Sequence, residues 1–91
     1  MSDGVRTVER VQTGVRLEKS LLKVLRGLAE YLDISLGDLL EGIALHALEG
    51  GSAFAGKPDL LKAIERLKLV YGMDYGAEAA HRLIDNGEDG K

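Results

Sequence analysis

From Val11 to Leu17 apolar and polar residues alternate, with Val11, Thr13, Val15 and Leu17 on one side and Gln12, Gly14 and Arg16 on the other. Arg10 extends the polar side by one step. A period of two with β-branched residues on the apolar side predicts a half-buried strand. Nothing downstream is suited to pair with it, because no hairpin turn and no second alternating run follows. A lone strand with one buried face leaves backbone N–H and C=O groups unpaired, which is costly. The simplest remedy is the same strand from a second copy of the chain, so a homodimer is expected. Residues 1–10 carry little pattern and are expected to form a flexible arm.

The period then lengthens to 3.6. Leu21, Leu22, Leu25, Leu28, Ala29 and Leu32 form an apolar stripe that predicts a helix of about four turns, with Lys19, Lys23, Arg26 and Glu30 on its wet side. Asp33 and Ile34 interrupt it. Ser35 stands three residues before Asp38, ahead of Leu36, Leu39, Leu40, Ile43, Ala44, Ala47 and Leu48, a spacing that predicts a second, capped helix. Gly50 and Gly51 predict its end. Residues 50–58 are a linker by composition, and Pro58 suits the first turn of a third helix. Leu60, Leu61, Ile64, Leu67 and Tyr71 stripe that helix, which stops near Gly72. Asp74 is suited to cap a fourth, shorter helix carrying Ala79, Ala80, Leu83 and Ile84. Residues 59–86 are thus expected to be a C-terminal extension of about two helices, and residues 87–91 a frayed tail.

One strand, a helix, a short turn and a capped helix within about 40 residues resemble the ribbon-helix-helix family of DNA-binding repressors. The residues that carry the resemblance are Thr13, Gly14, Val15, Arg16 and Leu17, then Leu21, Leu22, Leu25, Leu28 and Ala29, then Ser35, Leu39, Leu40, Ile43, Ala44 and Leu48. The match covers residues 11–49, fewer than half of the chain, and rests on apolar spacing rather than on any single residue. It implies a mainly α fold in which two chains form an antiparallel ribbon over a shared core of four helices. Val11, Thr13, Val15, Leu17, Leu25, Leu28, Leu39, Leu40 and Ile43 would then line the dimer core. The ribbon's outer face would enter the major groove of double-stranded DNA, with Gln12, Gly14 and Arg16 at the base-reading positions. Arginine suits guanine O6 and N7, and glutamine suits adenine N6 and N7. Gly14 departs from the pattern, since it offers no side chain where a polar reader usually sits. The N-terminus of the second helix, at Ser35, Leu36 and Gly37, would hold a phosphate. Arg10, Lys19 and Lys23, with Arg6, are suited to further phosphate contacts.

The net charge of −3 looks wrong for a DNA binder, but it hides a split. Residues 5–26 carry six basic and two acidic side chains, whereas residues 27–91 carry six basic and twelve acidic ones. Such asymmetry points to a polyanion-facing end and a solvated remainder. The chain has no cysteine, which excludes disulfides and thiolate chemistry. It has no apolar run near the ~18 residues of a membrane span and no signal-peptide core, so a cytoplasmic location is expected.

No enzyme, cofactor or metal site is expected. His46 and His81 are the only histidines; His46 is expected to pack or to make a helix–helix hydrogen bond, and His81 to pair with Asp85 one helical turn on. No phosphate-binding loop and no nucleophile elbow is present. The rival expectation is a ribbon-helix-helix dimerisation and protein-interaction module, antitoxin-like or non-DNA-binding, that uses the C-terminal helices of residues 59–86 to bind a partner protein. Leu67, Leu69, Val70, Tyr71, Met73 and Tyr75 give that half more apolar density than one short helix can bury alone.

Overall fold

The computed structural model describes residues 6–51 and 53–85. Three helices and two short strands follow one another: β1 (Arg6–Val8), α1 (Lys19–Leu32), α2 (Leu36–Leu48), α3 (Pro58–Tyr71) and β2 (Leu83–Asp85), with a single 3-10 turn at Ala77–Ala79 before β2. The fold is mainly α.

Each helix starts and stops for local reasons. Glu18 caps α1: its carboxylate accepts the N–H groups of Ser20 (3.1 Å) and Leu21 (2.9 Å) and the Ser20 hydroxyl (2.6 Å). These three bonds hold the Glu18 carboxyl below the usual carboxylate range, the Ser20 hydroxyl contributing most. At the other end Asp33 takes the left-handed conformation, φ 60°, and the N–H of Ile34 reaches back to Ala29 O at 3.0 Å. That is a Schellman stop built on an aspartate, a residue that tolerates this region better than most. Ser35 caps α2 as its spacing predicts, its hydroxyl accepting the Asp38 N–H at 3.0 Å. Gly50, at φ +92°, ends α2, and the following Gly51 N–H returns to His46 O at 3.1 Å. Pro58 opens α3 and Gly72, at φ +71°, closes it.

In the single chain residues 9–18 form no strand, and Val11 to Leu17 are exposed. Two expectations are corrected. The stretch expected to be a flexible arm contains a strand, β1, which pairs in parallel with β2 in the register Arg6↔Leu83, Thr7↔Ile84, Val8↔Asp85. The alternating segment, expected to pair with a second copy, has no facing strand among the described residues. The fourth helix is also absent. Gly76 is extended, and His81 at φ 65° breaks any helical run, so residues 77–85 make one turn and then a strand. The Ala77 N–H anchors that turn to the Glu49 carboxylate at 2.8 Å. The C-terminal extension is therefore one helix, a turn and a strand. The expected frayed tail and residues 1–5 of the arm lie outside the described residues.

The interior is small. Ala29 of α1, Leu39, Gly42 and Leu45 of α2, Ile64 of α3, and Gly76 and Ala79 are buried. α1 packs on α2, and of its apolar arc Leu22 and Leu25 are half-buried and Ala29 buried. The rest of that arc, Leu21, Val24, Leu28 and Leu32, is exposed, and so is Tyr31. Val11 is 75% exposed and Val15 73%. No helix among the described residues is long and apolar enough to cross a membrane.

Candidate nucleic-acid interface

The residues expected to read bases lie on the segment that leads from β1 into α1. Gln12, Gly14 and Arg16 are all exposed. Gly14 is not forced by crowding, because a Cβ there would meet nothing within 4 Å. Arg16, Lys19, Lys23 and Arg26 make no ion pair or side-chain hydrogen bond among the described residues. Lys19, Lys23 and Arg26 share one side of α1, opposite the exposed Leu21, Leu28 and Leu32. One helix thus separates a cationic side from an uncovered apolar side.

The expected phosphate position is the N-terminus of α2. Ser35 Oγ takes the Asp38 N–H, which leaves the N–H groups of Leu36 and Gly37 without an intrahelical acceptor. Ser35 and Gly37 are exposed. They share a groove of about 490 Å³ with Val8, Arg10, Val11, Thr13 and Glu41, so the chain between β1 and the alternating segment runs beside this helix end. The groove brings the expected phosphate position and the start of the expected ribbon together. Gln12, Gly14 and Arg16 do not line it.

Arg10 and Arg6 are engaged within the chain. Arg10 makes a bidentate pair with Glu41 of α2, Nε to Oε2 at 2.9 Å and Nη2 to Oε1 at 2.8 Å. A phosphate contact by Arg10 would compete with that pair. Arg6 pairs with Asp74 and lies over the Tyr75 ring, 5.0 Å from its centroid. Sequence reasoning missed Glu41, Asp74 and Tyr75, and no spacing signals them, since their partners are 31 to 69 residues away.

Both histidines are placed differently from expectation. His81 sits outside any helix, and its partner is Asp38 of α2, with Nδ1 donating to Oδ1 at 2.9 Å. Its left-handed backbone costs on the order of 1 kcal/mol for a non-glycine residue, which this contact helps to offset. His46 bonds one turn back within its own helix, Nδ1 donating to Gly42 O at 2.8 Å. Among the described residues no group of three or more His, Cys, Asp or Glu is placed to hold a metal ion.

Of the residues expected in the dimer core, Leu39 is buried and Leu25 and Leu40 are half-buried. Val11, Thr13, Val15, Leu17, Leu28 and Ile43 are exposed. Compared with known proteins, the chain matches no family model, no curated protein and no solved structure.

Proposed function

We propose that this protein is a sequence-specific DNA-binding regulator, acting as a ribbon-helix-helix homodimer that represses by occupying promoter DNA. One observation carries the reading. The apolar side of residues 11–17 and half of the apolar arc of α1 are uncovered among the described residues, while Lys19, Lys23 and Arg26 lie on the opposite side of α1 and, with Arg16, make no ion pair there. A second copy that pairs its residues 11–17 with the first would give those backbone groups partners and cover Val11, Val15, Leu17 and Leu28 in one step. The resulting ribbon would present Gln12 and Arg16 outward, with the α1 cations and the Leu36 and Gly37 N–H groups available to phosphates.

The test is a titration onto duplex DNA from upstream of the protein's own gene, at several salt concentrations, beside Arg16→Ala. The reading expects log affinity to fall linearly with log salt, and Arg16→Ala to lose the preference for that duplex over random sequence. Absence of binding even at low salt would overturn it.

A second reading has its own observation. Leu69 is 82% exposed, and Val70 and Tyr71 are comparably open on α3. An apolar patch of this kind fits a module that dimerises through residues 11–49 and binds a partner protein through α3. Wild-type affinity for DNA together with an unaltered Leu69→Ser, Tyr71→Ser double variant in cells would exclude it.

A further inference from the structure

We infer that Glu41 restrains DNA binding by holding Arg10 in an ion pair that a phosphate must displace; this rests on the DNA reading above. Among the described residues that line the groove beside the head of α2, Arg10 is the one cation, whereas Glu9, Asp38 and Glu41 are all acidic. The Arg10 guanidinium spans both oxygens of Glu41, Nε donating to Oε2 at 2.9 Å and Nη2 to Oε1 at 2.8 Å. Nη2 also reaches Leu83 O of β2 at 3.4 Å. A guanidinium edge that fits two carboxylate oxygens fits two phosphate oxygens equally well. A phosphate that takes this edge must therefore turn Glu41 out.

The exchange is open to solvent. The Arg10 side chain is 34% exposed and that of Glu41 31%, so water and salt weaken the pair and another anion can replace the carboxylate. Displacement has a second consequence. It leaves Glu41 without its arginine in a groove that Glu9 and Asp38 also line, and like charges there oppose the incoming phosphate. Asp38 differs from Glu41 in being held by His81, Nδ1 to Oδ1 at 2.9 Å, a contact that an exchange at Arg10 does not touch. Glu41 thus acts twice, by occupying the arginine and by repelling its competitor. A phosphate carries no sequence information, so the restraint should weaken binding to operator and random duplex alike.

The experiment titrates the full-length chain at low salt onto the upstream duplex and onto a random one. Wild type, Glu41→Gln, Arg10→Ala and the double variant are compared. Glu41→Gln should bind both duplexes about threefold or more tighter, because an exposed pair no longer competes in either chain of the dimer. In the Arg10→Ala background the same change should bring less than half of that gain on a logarithmic scale. This separates release of Arg10 from the mere loss of a negative charge. A gain undiminished without Arg10, or an affinity that Glu41→Gln leaves unchanged or lowers, would overturn the inference while wild-type binding still supports the DNA reading. Absence of wild-type binding would overturn both. Should Glu41→Gln fail to fold by circular dichroism, the Arg10 Nε–H resonance of the wild type, assigned by its loss in Arg10→Lys, decides. It should shift when duplex is added, and an unmoved resonance would overturn the inference.

Discussion

α2 and the segment from Val11 to Leu17 carry equally regular apolar patterns, yet one is complete within the chain and the other is not. α2 has its cap in Ser35, its stop at Gly50 and a buried face of Leu39, Gly42 and Leu45. The alternating segment has none of these: it forms no element, and Val11 and Val15 are about three-quarters exposed. The physical difference is where backbone partners come from. A helix satisfies its own N–H and C=O groups a turn away, so a pattern of period 3.6 closes locally. A strand needs a neighbour, and a pattern of period two is only half of a structure. α1 stands between the two cases. It forms by itself, but it leaves Leu21, Val24, Leu28 and Leu32 on a face that none of the described residues covers.

Substitutions in the two regions should therefore behave differently. The largest effect is expected from Val15→Asp, which places an unpaired carboxylate on the proposed dimer face and should cost more than about 3 kcal/mol of dimer stability. Sedimentation equilibrium should find single chains at concentrations where the wild type is paired. Leu45→Ala, inside the finished region, should cost about 2–5 kcal/mol through the cavity it leaves, without specifically changing the number of chains per particle. If both variants lower stability alike and neither dissociates the protein, the contrast between the regions is lost.

Next in size is Arg16→Ala. It should remove about 1–3 kcal/mol of discrimination between operator and random duplex and leave dimerisation intact, as read by competition binding. Ser35→Ala should lower thermal stability by about 1 kcal/mol, because the Asp38 N–H loses its acceptor. The smallest effect belongs to Glu18. Its carboxyl is held below its ordinary value of 4.5 in the folded chain. The cap's contribution is therefore full above that value and fades as pH falls through the lowered folded value. Glu18→Gln should flatten this acid-side dependence in pH-dependent melts, its small loss of stability showing at neutral pH and vanishing in acid.

Much of the fold was legible because it is local. The stripes of all three helices, the Ser35 cap, the glycine stops and Pro58 at the head of α3 follow from residues within a turn or two of one another. What escaped is either chemically disguised or distant. α1 is capped by a glutamate and stopped by an aspartate in place of the usual serine and glycine. The pairing of β1 with β2 joins three-residue strands at opposite ends of the described chain, too short to show a period. The run of Ala79, Ala80, Leu83 and Ile84 has helical spacing, yet the extended Gly76 and the His81–Asp38 contact turn it into a loop and a strand. Of the candidate site, Arg16, Lys19, Lys23, Ser35 and Gly37 are exposed. The pairing of Arg10 was not legible, because its partner Glu41 is 31 residues away on another element.

The central claim is that a second copy covers the apolar face left by residues 11–17 and α1. Sedimentation equilibrium combined with urea unfolding over a hundredfold range of protein concentration tests it most directly. The account predicts two chains per particle and an unfolding midpoint that rises with concentration, since folding and pairing are one event. A folded single chain whose midpoint does not move with concentration would contradict it.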